Sequence, residues 1–109
     1  DQAANWYTNL TNLGVKGAMI KLTEGSASGT DYVNPLFASQ KANAIAAGMK
    51  YVGAYHFFRA ASVDDAAAEG EFFLAQLQAN NIDTSTIVAC DVELSSLDPT
   101  ADGATLTKL

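Results

Sequence analysis

The sequence predicts an α/β fold in which βα repeats build a parallel sheet. Three apolar runs typical of strands begin about 34 residues apart, and each interval between them carries the residue spacing of a helix. Helices that alternate with strands in this way are typical of parallel strands joined by right-handed crossovers. The chain has 109 residues, which suffices for one domain at most.

The predicted strands are Gly17–Leu22, Tyr51–Phe58 and Thr86–Glu93. Each helix before or between them has a start or stop signal. The first helix ends before Gly14, and the second lies between Pro35, which suits a first turn, and Gly48, which suits the position after a last turn. The third helix begins at Ser62, a typical N-cap, with Asp65 three residues later.

Apolar residues at helical spacing predict the buried face of each helix. They are Ala3, Trp6, Leu10 and Leu13 in the first helix; Phe37, Ala38, Ala42, Ile45 and Met49 in the second; and Ala66, Gly70, Phe73, Leu74 and Leu77 in the third. A last helix is predicted to start after Pro99. The predicted order of elements is therefore α-β-α-β-α-β-α.

The composition excludes several classes of function. The net charge is −6, from 12 acidic and 6 basic residues, so a basic face for nucleic acid is not expected. Cys90 is the only cysteine, which rules out an intrachain disulfide and a cysteine-based metal site. No apolar run approaches the roughly 20 residues that span a bilayer, so membrane insertion is not expected. Export cannot be read from the sequence, because targeting segments are removed from mature chains, and the oligomeric state is not specified.

Polar side chains capable of chemistry lie at the carboxyl end of each predicted strand. The first strand ends in Lys21–Gly25, the second in Tyr55–Arg59, and the third in Asp91–Glu93. In parallel α/β folds the carboxyl ends of the strands meet at one edge of the sheet, where binding and catalysis occur. The sequence therefore predicts a functional site at that edge.

Asp91 and Glu93 are the strongest candidates for catalysis. Residues two apart on a strand share a face, so both carboxylates are predicted to lie on one side, with Cys90 and Val92 on the other. Neighbouring carboxylates oppose each other's ionisation, and an acid beside a base is the equipment for cleaving a glycosidic bond. A solvated strand end or a metal-binding pair is consistent with the same spacing.

Aromatic residues near this edge have two possible roles, sugar stacking or core packing. They are Tyr32, Tyr55, Phe57 and Phe58, and core packing is favoured for Phe58 and at least one of its neighbours. His56, the only histidine, is more typical of a hydrogen-bonded core residue than of a catalytic base. Glu24 is either an acid that contacts a ligand or a loop charge, and Arg59 is expected to pair with an acid at the same edge.

Four motifs in order resemble glycoside hydrolase family 25, the lysozymes (N-acetylmuramidases) of bacteria, fungi and many phage endolysins. They are Met19–Gly25, Tyr32–Pro35, Val52–Arg59 and Ala89–Glu93. The helical segment Asp64–Leu77 resembles the family's segment between its Tyr-His-Phe strand and its D-x-E strand. The resemblance extends over essentially the whole chain, and the order and spacing of the four motifs make it specific.

The resemblance implies an irregular TIM-like β/α barrel and hydrolysis of the β-1,4 bond between N-acetylmuramic acid and N-acetylglucosamine in peptidoglycan. It implies that Glu93 is the general acid and that Asp91 stabilises the transition state or orients the substrate's acetamido group. Tyr32 and Tyr55 match aromatic positions of the sugar groove, and Glu24 matches a polar position there. No metal and no organic cofactor is implied, and the expected place of action is the cell wall, reached by secretion or by phage lysis.

The chain departs from the family pattern at its beginning. Family members open with a strand that carries an Asp in a D-x-S-x-x-Q pattern about ten residues before the position of Trp6, whereas Asp1 lies five residues before Trp6. The family's later strands have no counterpart here either. Residues 1–109 are therefore expected to be a partial catalytic domain that lacks the first strand and the carboxyl-terminal half.

Two other classes of function remain open from the sequence. The aromatic groove is compatible with a non-catalytic module that binds peptidoglycan or another glycan without cleaving it. The third hypothesis is a small α/β scaffold protein whose acidic residues at the strand ends have no ligand. Release of reducing ends separates the enzyme from the binding module, and retention on insoluble wall separates the binding module from the scaffold.

Overall fold

A computed structural model of the chain describes residues 4–26 and 30–93. Its helices are α1 (Ala4–Asn12), α2 (Phe37–Ala46) and α3 (Val63–Ala79). Its strands are β1 (Gly17–Glu24), β2 (Tyr32–Val33), β3 (Tyr51–Phe57) and β4 (Val88–Asp91). The mixed α/β class is confirmed, while the helix predicted after Pro99 lies outside the described residues. Within those residues, no helix has the length and apolar character that crossing a membrane requires.

The four strands form one sheet in the order β2-β1-β3-β4. β1, β3 and β4 are parallel, as predicted. The short β2 was not predicted: it pairs antiparallel with the end of β1 because the chain reverses after Gly25. Gly25 has φ +68°, and an added Cβ would lie 2.2 Å from the carbonyl oxygen of Thr30, so only glycine fits this reversal.

The helices pack against one face of the sheet. Ile20, Leu22 and Ala54 form a buried cluster on that face with Phe37 of α2, and Phe73 of α3 packs against them. A second cluster joins the middle of α1 to the end of α2 around Tyr7, Ala44 and Met49. On the opposite face, Met19 and Tyr51 are 44% and 64% exposed. The apolar core therefore lies between the sheet and its helices, and the other face of the sheet is open.

The predicted buried faces of α1 and α2 are correct only in part: Phe37 and Met49 are buried as predicted, whereas other positions are wrong. In α1, Tyr7 is 2% exposed whereas Trp6 is 47% exposed. In α2, Ile45 is exposed, and Gln40 is buried instead. Gln40 tolerates burial because its side-chain oxygen accepts a hydrogen bond from Asn34 Nδ2 at 2.9 Å. The buried side of α2 therefore includes a polar residue whose partner lies outside the helix, besides the apolar Phe37 and Ala44.

The start of α3 follows the predicted capping pattern. Ser62 has an extended backbone, and its hydroxyl accepts a hydrogen bond from the Asp65 backbone N–H at 3.1 Å. The Asp65 carboxylate accepts a bond from the Ala61 N–H at 3.3 Å and another from the Ser26 hydroxyl at 2.8 Å. The N-terminus of α3 is thereby attached to the loop that follows β1.

Substitution Ser62→Ala should lower the free energy of unfolding by about 1 kcal/mol, because it leaves the Asp65 N–H without its cap. Chemical denaturation of the protein and the variant measures the difference. Ser39→Ala is the matched control, since it removes an exposed hydroxyl inside α2 and should change the free energy of unfolding by less than about 0.5 kcal/mol. Equal effects of the two substitutions would contradict the capping role of Ser62.

Candidate active site

The register of the sheet aligns one candidate residue from each strand in a single row. Glu24 of β1 lies opposite Tyr32 of β2 and opposite Phe57 of β3, and Phe57 lies opposite Asp91 of β4. Directly opposed residues of neighbouring strands project from the same face. Four of the predicted site residues therefore form one row, Tyr32–Glu24–Phe57–Asp91, at the carboxyl ends of the parallel strands. We call it the rim row.

A bulge in β1 makes this alignment possible. Lys21 pairs with Tyr55, but the next pair is Thr23 with His56, so two residues of β1 occupy the space of one on β3. Without the bulge, Lys21 and Glu24 would lie on opposite faces, because side chains alternate along a strand. With the bulge, both lie on the open face.

The carboxylate of Glu24 accepts hydrogen bonds from two cations. Lys21 Nζ contacts one oxygen, and Arg59 Nη1 contacts the other at 2.7 Å. The bond from Lys21, followed by the bond from Arg59, holds the pKa of Glu24 below its ordinary value, against a smaller opposing effect of burial. The predicted pairing of Arg59 with an acid at this edge is confirmed, and Glu24 is ionised.

Aromatic rings surround the Lys21 ammonium group. It lies 5.0 Å from the ring centre of Phe57 and 5.3 Å from that of Tyr32, which is cation–π distance. Tyr32 is 45% exposed, and Tyr55 and Phe57 are half-buried, so all three keep ring surface available on the open face. The neighbouring Phe58 is 7% exposed and belongs to the interior, as predicted.

The two candidate catalytic carboxylates differ in their placement. Asp91 is half-buried, belongs to β4 and lies in the rim row. Glu93 is exposed and follows two residues after the end of β4, so the prediction of a strand reaching Glu93 is wrong. β4 ends early because β3, the partner of β4, ends at Phe57 opposite Asp91. A shared face for Asp91 and Glu93 remains a prediction.

A chain of buried polar side chains lies on the helix-covered face, directly behind the rim row. Thr23 Oγ1 lies 2.8 Å from His56 Nδ1, and His56 Nε2 lies 2.8 Å from Glu69 Oε2. Thr23, His56 and Glu69 are 0%, 3% and 1% exposed. His56 is therefore a hydrogen-bonded core residue, as favoured from the sequence.

Glu69 is the residue that the sequence analysis missed. The predicted stripe of α3 passed through Gly70, but Glu69 occupies the buried position and Leu74 is 55% exposed. The available signal was its spacing: Glu69 lies three residues after Ala66 and four before Phe73, on the stripe that packs against the sheet. A carboxylate on such a stripe needs a buried partner, and the only histidine supplies it.

A cavity of about 530 Å³ lies at the opposite, amino ends of the strands, between Gly17, Tyr51 and Ile87. None of its lining residues is acidic. A groove of about 280 Å³ beside Lys21 and Tyr55 lies closer to the rim row. Among the residues that the structure describes, no three His, Cys, Asp or Glu side chains are grouped to hold a metal ion. The side chains capable of chemistry lie in the rim row, which is therefore the candidate site.

Substitution Lys21→Met should raise the pKa of Glu24 toward its ordinary value, because it removes the main cause of the lowering. NMR titration of the Glu24 carboxyl carbon measures this, with Lys16→Met, at the exposed amino end of β1, as the control. In the unsubstituted protein the ion pairs stabilise the fold fully above the ordinary glutamate pKa, and this contribution disappears as the pH falls through the lowered value. An unchanged Glu24 titration in the Lys21 variant would contradict this assignment.

Comparison with known proteins identifies the family. Residues 1–108 match the profile described as Glycosyl hydrolases family 25. Searches of curated proteins and of solved structures gave no match. The match extends over the whole chain except its last residue and confirms the resemblance carried by the four sequence motifs. The chain belongs to glycosyl hydrolase family 25, a family of peptidoglycan-cleaving glycosidases.

Proposed function

We propose that the protein is a lysozyme-type muramidase that hydrolyses the β-1,4 bond between N-acetylmuramic acid and N-acetylglucosamine in peptidoglycan. The observation that carries this proposal is the rim row, which aligns Asp91 with an ionised acid and two aromatic rings in a chain of this family. We further propose that the described sheet is one segment of an irregular β/α barrel whose interior corresponds to the open face.

The aromatic side chains of the open face provide surfaces for sugar rings. Tyr32, Tyr55 and Phe57 present ring faces of the kind that pack against the apolar C–H faces of pyranose rings. Glu24, fixed by its two cations, accepts hydrogen bonds from sugar hydroxyl or amide groups. Binding in this proposal is divided between stacking, which supplies affinity, and Glu24, which supplies orientation.

Bond cleavage is assigned to Asp91, the last residue of β4, and to Glu93, two residues after it. Glu93, as the protonated acid, donates its proton to the glycosidic oxygen while the bond from that oxygen to the anomeric carbon breaks. The substrate's own acetamido oxygen then bonds to the anomeric carbon, and Asp91 orients that group and stabilises its positive charge. Water opens this intermediate and transfers a proton back to Glu93. The exposed position of Glu93 supports contact with a polymer substrate.

The expected place of action is the cell wall, reached by secretion or by release during phage lysis. The proposal requires no metal and no organic cofactor, because proton transfer and the acetamido group supply all the chemistry. Glycan strands are the proposed partner, with no role for nucleic acid.

A non-catalytic glycan-binding module is the second candidate. The exposure of Tyr32 and the open face shared by Tyr55 and Phe57 favour it, since these features require only stacking and no proton transfer. The two candidates make different predictions for Glu93 and the same prediction for Tyr55.

Substitution Glu93→Gln should reduce clearing of a bacterial wall suspension by at least about 100-fold, because an amide cannot donate the proton that the leaving oxygen needs. Turbidity loss and released reducing ends are the measurements. Glu71→Gln, on the exposed side of α3, is the matched control and should clear walls like the unsubstituted protein. Equal clearing by the Glu93 variant would remove Glu93 from the role of acid; retention on walls without release of reducing ends by any form would favour the binding module.

Substitution Tyr55→Ala should weaken binding to insoluble peptidoglycan, measured by sedimentation, by about 2- to 13-fold, the equivalent of losing one stacking contact. Tyr51→Ala is the control, because Tyr51 lies on the same strand and the same face but at its amino end. Equal losses for both variants would place the glycan elsewhere on the sheet.

A further inference from the structure

Glu69 is the only buried carboxylate among the residues that the structure describes, and neither the stacking nor the cleavage steps use it. Removing a carboxylate from water costs several kcal/mol unless it is fully paired. An apolar side chain at this position of α3 would join Phe73 and Leu77, which already pack against the sheet. The burial of a charge here therefore needs an explanation beyond core packing.

The contacts of Glu69 lead to the strand end rather than into the core. One oxygen faces His56 Nε2, and both oxygens lie 3.1 Å from the backbone nitrogen of Arg59. Arg59 follows two residues after the end of β3. The Phe58 N–H still donates to the Asp91 carbonyl oxygen of β4 at 2.9 Å. The Glu69 carboxylate holds the next N–H, that of Arg59, where the chain leaves the sheet.

The side chain of Arg59 continues this path to the rim row. Its Nη1 donates to Glu24 Oε1 at 2.7 Å, while the Arg59 side chain is 48% exposed. An exposed ion pair is worth at most about 1 kcal/mol and does not by itself hold a long side chain in one geometry. The backbone anchor at Glu69 supplies the missing constraint.

We infer that Glu69 is a positioning residue for the glycan groove: it holds the backbone N–H of Arg59, and thereby directs the Arg59 guanidinium onto Glu24. Glu69 lies on α3, behind the sheet, and acts on the open face only through Arg59. The inference rests on the function proposed above in treating Glu24 as a groove residue, but the link from Glu69 to Arg59 to Glu24 holds independently of any substrate.

Substitution Glu69→Met tests this link, because methionine keeps the length of the side chain and removes both acceptors. The pKa of Glu24, followed by NMR, should rise by most of the amount that Arg59→Met itself causes. In an Arg59→Met background the Glu69 substitution should cause no further rise, since its effect passes through Arg59. Glu69→Gln keeps one oxygen as an acceptor for the Arg59 N–H, so the pKa of Glu24 should stay as low in this variant as in the unsubstituted protein.

A purely structural role of Glu69 predicts a different pattern. It would lower the thermal midpoint in Glu69→Met while leaving the Glu24 titration of the folded protein unchanged, and that result would overturn the inference. Should the variant not fold, hydrogen exchange of the unsubstituted protein decides: the Arg59 amide should be protected as strongly as the amides of β3. Exchange at the rate of an exposed loop would also overturn it.

The wall assay separates this inference from the proposed function. Glu69→Met should weaken sedimentation with peptidoglycan several-fold, and no more than Arg59→Met alone does. If the unsubstituted protein neither binds nor clears walls, the proposed function is wrong, and the titration and exchange measurements still decide the positioning role. If it binds walls, and the losses of wall binding caused by Glu69→Met and by Arg59→Met add up in the double variant, the positioning role is wrong and the proposed function stands.

Discussion

The site depends on one constraint: the parallel strands lie side by side in the sheet in the same order as along the chain. This order is β1, β3 and β4, so crossovers of one hand place α2 and α3 on the same face of the sheet. The opposite face then receives no helix from the described chain. Because the carboxyl ends of these strands lie at one edge, the open face gathers one side chain from each strand into the rim row.

The two faces of the sheet are coupled residue by residue. Side chains alternate along each strand, so the buried Thr23 immediately precedes Glu24, and the buried His56 immediately precedes Phe57. A shift of the buried pair along the strands would therefore move the neighbouring rim residues as well. The hydrogen bond between Thr23 and His56 crosses from β1 to β3 and fixes this register at the level of the site. Packing behind the sheet thus determines the geometry in front of it.

Local signals in the sequence predicted the elements, and long-range contacts decided the rest. The Ser62 cap and the presence and parallel direction of the three strands depend on neighbouring residues and were predicted correctly, whereas the end of β4 was not. The burial of Gln40 on α2 involves a hydrogen bond from Asn34, which hydrophobic periodicity does not contain. The bulge in β1 and the burial of Glu69 likewise depend on partners in other elements. The candidate residues were therefore predictable individually, but their alignment was not.

The chemistry of Glu69 links a buried carboxylate to the position of Arg59. Replacing a whole buried ion pair with packed apolar groups is often neutral or stabilising, but replacing one partner alone leaves the other unpaired. An apolar side chain cannot accept the Arg59 N–H, and an unpaired buried donor costs about 1–3 kcal/mol. A carboxylate satisfies that N–H and the His56 ring together. The same side chain therefore completes the interior and orients the residue that reaches Glu24.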